Sequence, residues 1–488
     1  MLSRWLALPL LALALAGCWR NDDGAVQVAF IDTPESLFAG GVRLSPGAQH
    51  LRAATAAGLV SLDGQGDVIP ALADRWIVTD DGRSFIFRLR DGTWPNGREL
   101  TAESVRAALT EAIRALDGTS LGLDLAPIEE VRAMAGRVVE IRLSTPVPML
   151  LQLLAQPELA LASGAGGTGD MLLRRDGATA VLAMKPPAAR GVPEQPDWDQ
   201  YVRAIELRAE NAQQAIAQFD NGDVELVLGG RIDSLPLADT GPLSRGTVRL
   251  DPALGLFGLQ VRRAEGLLGT PQGREAIAMA IDRTALIEPF NIGGWTPTTR
   301  VAAPGLPGDP GFIAERWSGR AVEDLRAEAA RRVAAWRRAN EAAEPRLTLA
   351  LGRAPGLDML FRGLAAQLAT IGVRLERVAD GRRADFVLVD RVARYAEPSW
   401  FLNQFNCTLR NGLCSTEADA LVRESLFQTD PAAKETLLAQ AEAELTLANV
   451  YIPFGSPLRF SLVRGDVDGF AANPWAFHPL PALAVIPS

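Results

Sequence analysis

The stretch from Val68 to Leu116 leaves a folding chain little choice. Asp81-Gly82, Asp91-Gly92 and Asn96-Gly97 are turn dipeptides whose glycines accept the backbone angles of tight hairpins. Between the first two, Phe85-Ile-Phe-Arg-Leu-Arg90 reads as a strand, preceded by Ile69-Pro-Ala-Leu-Ala-Asp-Arg-Trp76. Thr101 then caps a helix, and Glu103 lies in its first turn, where the dipole favours a carboxylate. Val105, Leu109, Ala112, Ile113 and Leu116 fall on one face of that helix. The block specifies a hairpin followed by an amphipathic helix.

The N-terminus constrains location. Met1-Leu-Ser-Arg4 carries one positive side chain, Trp5 to Leu15 is apolar, and Ala16-Gly17 are small. Such a segment is a secretory signal, too short for a stable membrane span. Cys18 directly after the small pair makes it resemble a bacterial lipoprotein signal. The resemblance implies cleavage after residue 17 and lipidation of Cys18. Each buried acyl methylene contributes about 0.8 kcal/mol, so several chains anchor the protein durably. The expected location is the periplasm or cell surface, lipid-anchored to a membrane.

The chain has 488 residues, 48% hydrophobic and 22% charged, enough for about two to four domains with ample core. A net charge of −9 argues against nucleic acid, which calls for a basic face. Lysine occurs only at Lys185 and Lys434, leaving few ammonium groups for catalysis. With Cys18 assigned to lipid, Cys407 and Cys414 remain, and in an oxidising compartment they are expected to pair. Closing so small a loop contributes about 2–3 kcal/mol on the chain-entropy argument. Two thiols without a nearby His make a poor zinc site, so no metal is expected.

Catalysis finds little support. The only histidines, His50 and His478, are far apart in the chain, and no Gly-x-Ser-x-Gly elbow occurs. Gly164-Ala-Gly-Gly-Thr-Gly169 matches GxGxxG formally, but no helix opens after it to receive a pyrophosphate. No enzyme and no cofactor are expected.

The order Pro-x-Leu-Ala-x-x-Trp, Asp-Gly, aromatic strand, Asp-Gly, Asn-Gly, Thr-Ala-Glu-x-Val, running from Leu59 to Ile113, resembles the peptide/opine/nickel class of extracellular solute-binding proteins. These are the receptors of ABC importers. Later segments agree in order. Phe219-Asp-Asn-Gly-Asp-Val-Glu225 resembles the strand start after a helix over 212–219, and Arg274-Glu-Ala-Ile-Ala-Met-Ala-Ile-Asp-Arg283 resembles the class's "Arg-x-Ala-x-x-x-Ala-Ile-Asp-Arg" helix. Pro398-Ser-Trp-Phe-Leu402 resembles its "Pro-x-x-Phe-Leu" segment beside the cleft.

The resemblance implies an α/β, two-lobed periplasmic-binding-protein fold with an extra subdomain on the first lobe. The first lobe is expected over 18–50, 165–256 and 465–488, the extra subdomain over 51–164 and the second lobe over 257–464. The crossings between lobes are expected near 255–259 and 459–464. A charge-laced helix over 321–342 is expected to pack on the second lobe through a stripe of Val322, Leu325, Ala329, Val333 and Trp336. The implied protein is a monomer that closes on a small ligand and delivers it to an ABC permease and its ATPase. The alternative function is a sensory or scaffold lipoprotein that keeps the fold without delivering cargo.

Asp390-Arg-Val-Ala-Arg-Tyr-Ala-Glu-Pro398 holds the sharpest clue. Peptide-binding relatives typically place an acidic residue just before the aromatic, to hold the ligand's α-amino group. Here Arg394 precedes Tyr395, and Arg391 stands where relatives often carry an aromatic. A guanidinium repels an ammonium in a poorly hydrated cleft but grips a carboxylate or phosphate with two parallel hydrogen bonds. Two readings stand: Arg394 faces an anionic or neutral ligand, or it pairs with Glu397 or Asp390 and faces solvent. The candidate lining residues are Asp390, Arg391, Arg394 and Tyr395, with Phe257 at a crossing and Trp400 nearby.

Overall fold

Sheet membership divides the chain. The computed structural model describes residues 24–163, 166–239, 246–465 and 467–486. The signal, Cys18 and Gly164-Ala165 of the glycine-rich turn lie outside them. A seven-stranded sheet forms the first lobe, in the order Met171–Asp176, Thr179–Met184, Ile205–Glu210, Val26–Ile31, Leu226–Arg231, Arg459–Val463, Val248–Leu250. Its middle three strands, 205–210, 26–31 and 226–231, run parallel. A five-stranded sheet forms the second, in the order Arg374–Val378, Arg346–Ala350, Phe386–Val392, Gly255–Val261, Tyr451–Gly455. Helices cover these sheets, giving the α/β two-lobed architecture.

The early block builds a third unit. Ala73–Val78 and Ser84–Leu89 form the expected hairpin, with Gly82 at φ 66°, and join Val138–Leu143 and Ile128–Met134 in an antiparallel four-stranded sheet. Helix Ala102–Ala115 opens on a reciprocal cap. The Thr101 hydroxyl accepts from the Ser104 N–H (3.2 Å), and Ser104 Oγ accepts from the Thr101 N–H (3.1 Å). This subdomain is inserted into the first lobe's chain, yet its apolar core runs on into the second lobe. Leu121 and Leu125 belong to one buried cluster with Trp400, Phe401 and Leu402.

The strands place both crossings earlier than the sequence patterns do. All of Gly255–Val261 is already central to the second sheet, and Arg459–Val463 already pairs with the first. The connections are therefore 251–254 and 456–458, and 459–464 moves from the second lobe to the first. Both strands are buried throughout, so neither shows an alternation that would locate the step between sheets. Gly255, at φ 151°, starts the second-lobe strand where a Cβ would collide with the Arg391 carbonyl. Helix Pro46–Thr55 straddles the expected boundary at 50/51, but Leu51 and Ala54 pack in the first lobe's core.

The Arg274–Arg283 segment runs from the first turn of helix Pro271–Ala280 to the first residue of helix Arg283–Ile287, and both arginines work structurally. Arg274 Nε donates to the Ala448 carbonyl and its Nη1 to that of Leu268, both at 2.7 Å. Arg283 Nε donates to the Pro453 carbonyl (2.8 Å), and burial pulls its pKa down to about 10. Asp282 between them caps the next helix through the Ala285 N–H (3.0 Å). The two cations satisfy carbonyls that would otherwise be buried without donors. Helix Val322–Ala339 packs on Pro271–Ala280 through Leu325, Ala329 and Val333, with Trp336 partly buried against the same core and Val322, at the helix start, outside it; Arg332 reaches Glu275 at 2.6 Å.

Candidate functional site

A cleft of about 470 Å³ lies where the three units meet. The first lobe contributes strand ends, including Phe30, Gly229 and Arg231, as open α/β sheets do at their ligand sites. The extra subdomain contributes Thr119, Ser120 and Pro157, and the second lobe contributes 390–394, Trp400 and Gln404. The two lobes' strands end on this space, so their connections act as the hinge between its walls.

Strand Phe386–Val392 delivers the cationic wall. Arg391 Nη1 donates to Gln404 Oε1 (3.1 Å). Its side chain is exposed to the cleft, yet the protein around it strips part of its hydration. That desolvation, with Arg394 beside it, draws its pKa below the ordinary arginine value. Arg394 Nη1 donates to Ser120 Oγ (3.2 Å), and its Nη2 lies 3.9 Å from Glu158 Oε1. Neither Glu397 nor Asp390 is its partner. Asp390 instead holds Arg459 across the hinge, Nη1 to Oδ1 at 2.6 Å, and is not available to an ammonium.

Among the described residues, five arginines line the cleft, at 43, 231, 391, 394 and 459, against the single carboxylate of Asp390. At close quarters in a partly dehydrated space such an imbalance favours an anion. Trp400 borders the same space. Its indole N–H is buried without a protein partner, an unmet donor of the kind an acceptor-bearing ligand would satisfy.

Two of the sequence candidates turn elsewhere. Phe257 is buried in the core, edge-on to Phe454 at 5.5 Å, and does not reach the cleft. Tyr395 is also buried. Its hydroxyl donates to Asp124 Oδ1 of the extra subdomain (3.1 Å), and burial followed by the Asp124 charge raises its pKa well above the usual tyrosine value. The strand ends at Val392, so Arg394 and Tyr395 lie in the bend after it, where Arg394 reaches the cleft and Tyr395 the core.

Other wall residues carry no local signal. His50 and His478, far apart in the chain, meet behind the cleft. The His478 N–H donates to His50 Nε2 (3.1 Å), leaving Nδ1 to donate to the Pro46 carbonyl (2.7 Å). Burial lowers the pKa of His50 to about 3, so it stands in the wall as a neutral ring beside Phe30 and Phe477. Cys407 and Cys414 form the expected disulfide, and the loop it closes brings Leu409 and Asn411 to the cleft. Among the described residues, no group of His, Cys, Asp and Glu could hold a metal ion, and no helix is long and apolar enough to cross a membrane.

Comparison with known proteins agrees with this geometry. The sequence pattern of the bacterial extracellular solute-binding proteins, family 5, middle region, matches residues 67–412. A Pseudomonas aeruginosa protein named "Probable di/tripeptide-binding protein 5" is 23% identical, over 88% of this chain and 89% of its own length. The murein tripeptide binding protein MppA of Escherichia coli superposes with a TM-score of 0.80, at 18% identity, over 95% of this chain and 99% of its own. Haemophilus influenzae OppA, solved in complex with RPPGFSPFR, gives 0.79 at 18% identity, with the same coverage. The unliganded open form of MppA gives only 0.65, at 18% identity over 95% and 98% of the two chains.

Proposed function

We infer that this chain, which belongs to the bacterial extracellular solute-binding proteins of family 5, is the receptor of an ABC importer whose cargo is a short, peptide-like anion. The observation that carries the anionic reading is that, with Arg459 paired to the one lining carboxylate, Asp390, four further arginines line the cleft among the described residues, of which Arg394 stands 3.9 Å from the buried Glu158. Arg391 and Arg394 stand close enough to depress the former's pKa, and a ligand carboxylate between them would relieve that repulsion. The di/tripeptide-binding name of the P. aeruginosa relative supports a ligand of that length. The work is binding alone: the lobes close, water leaves and polar groups pair across the cleft.

Two measurements test this reading. In calorimetry an acidic tripeptide is expected to bind at least about tenfold tighter than a lysine-containing one, with the gap narrowing as salt rises. Equal affinities, or a preference for the cationic peptide, would overturn the anionic assignment, and mass spectrometry of ligand retained through purification would name the natural cargo.

Anchoring through Cys18 completes the proposal, because a tether raises the receptor's local concentration near its permease. Among the described residues the first strand begins at Val26, only eight positions after Cys18. The mature protein is expected to partition into the detergent phase of a phase-separating detergent, and the Cys18→Ala protein into the aqueous phase. Identical partitioning of the two would remove the anchor from the proposal.

A further inference from the structure

A second cavity, of about 210 Å³, lies between the extra subdomain and the second lobe, apart from the ligand cleft. Asp124, the last residue of the short helix Ser120–Asp124, borders it and is 7% exposed. One carboxyl oxygen, Oδ1, accepts from Tyr395 Oη (3.1 Å) and Asn403 Nδ2 (2.9 Å), both on the second lobe. The other, Oδ2, is buried with no partner. At the opposite end of the same helix, Ser120 accepts from Arg394 in the cleft wall. One turn of helix therefore touches both the ligand site and a buried carboxyl whose neighbours belong to the other lobe.

We propose that closing the lobes over the ligand takes up one proton at Asp124, so that capture tightens as pH falls and loosens as it rises. The proposal rests on the receptor reading above. The extra subdomain is inserted into the first lobe's chain, and in the proposed opening its contact with the second lobe, including Leu121 and Leu125 against Trp400, Phe401 and Leu402, parts and draws Asp124 away from Tyr395 and Asn403 into water. Closing then buries a carboxylate, and the charged form is the one that burial penalises. Around it stand Arg394, Glu397, Asp419, Arg423 and Lys434. Glu397 already lies 3.6 Å from Lys434, and Asp419 already accepts the Cys407 N–H (2.9 Å).

The balance of these groups runs one way. Burial raises the pKa of Asp124 to about 7, against the opposing effects of Asn403, Arg394 and Tyr395, while Glu397 adds to the rise. An exposed aspartate titrates near 3.8. The closed state thus binds the proton more tightly, is favoured below about pH 7 and loses that advantage as pH rises through it. Between pH 8 and pH 6 the closed-to-open ratio should increase about tenfold.

Energy transfer between dyes on the extra subdomain and the second lobe of the full chain, without ligand, measures that ratio directly. The expected result is a tenfold rise from pH 8 to pH 6 in the wild type and a flat profile in Asp124→Asn. Tyr395→Phe removes a donor that favours the carboxylate and should move the midpoint to higher pH, a shift that a merely structural role would not give. A flat wild-type profile, or an Asp124→Asn protein that keeps the wild-type response, overturns the proposal. Calorimetry with the acidic tripeptide at both pH values separates the two readings. If the peptide fails to bind at either pH while the lobes still respond to protons, the anionic assignment falls and the coupling at Asp124 stands. If it binds equally at both, over a flat profile, the coupling falls and the receptor reading stands.

Discussion

Exchanging Arg394 for Asp is expected to weaken binding of an acidic tripeptide by about thirtyfold or more. Losing one partner of a buried, hydrogen-bonded charge pair costs about 2–5 kcal/mol, and each 1.4 kcal/mol is a factor of ten. The side chain is placed for such a contact: it is partly exposed to the cleft, and its other bonds are modest. Ser120 Oγ accepts one hydrogen bond at 3.2 Å, and Glu158 stands 3.9 Å away, outside good hydrogen-bonding range. A new carboxylate at 394 would also face Glu158 and Asp124, so the variant should disfavour anions and recover affinity for ligands with a free α-amino group. Arg394→Gln removes the charge without adding an opposite one and should lose less. Calorimetry on both variants, with melting curves to confirm folding, checks this. Unchanged affinity for the acidic peptide in Arg394→Asp would dismiss Arg394 as a bystander.

What the chain reveals before folding depends on how far each interaction reaches along it. The hairpin at Asp81-Gly82 and the cap at Thr101 are made by neighbours, so residue type and spacing determine them. The cationic wall was legible for the same reason, because Asp390, Arg391 and Arg394 leave one strand within five positions of each other. The residues that complete it come from elsewhere: Ser120 is 274 positions from Arg394, and Arg459 is 69 from Asp390. No local pattern marks a serine as the partner of a distant arginine. Phe257 shows a different limit. Its strand is buried on both faces, so alternation, the signal that tells cleft from core, is missing. Tyr395 shows a third: a residue's place beside a functional neighbour says nothing of its own direction once the strand has ended.

Replacing Arg300 by Met is expected to cost about 3–5 kcal/mol of stability, the usual result of stranding buried charges by removing their partner. Arg300 is 5% exposed and is held on two sides. Asp309 accepts from Nη1 (2.7 Å) and Nη2 (3.2 Å), and Glu442 from Nε (3.1 Å) and Nη2 (2.8 Å). The carboxylates are satisfied further by backbone: Gly305 and Gly311 donate to Asp309, and Val301 and Ala302 to Glu442. Burial acts to raise Asp309, but the bonds from Arg300, Gly311 and Gly305 leave its pKa below the ordinary value. Its contribution is therefore present above the unfolded carboxylate's pKa and lost as pH falls through the lower folded one. The triad ties the 300–309 loop to helix Pro431–Ala448, which leads into strand Tyr451–Gly455 and the crossing at 456–458. Urea unfolding should show a lower midpoint for Arg300→Met, and at acid pH the gap from wild type should close as Asp309 protonates. A midpoint equal to the wild type's would mean that water reaches the carboxylates when the arginine leaves. A triple variant that replaces all three charges with apolar side chains should recover most of the loss, because the penalty lies in the unpaired charges and not in the missing bridge.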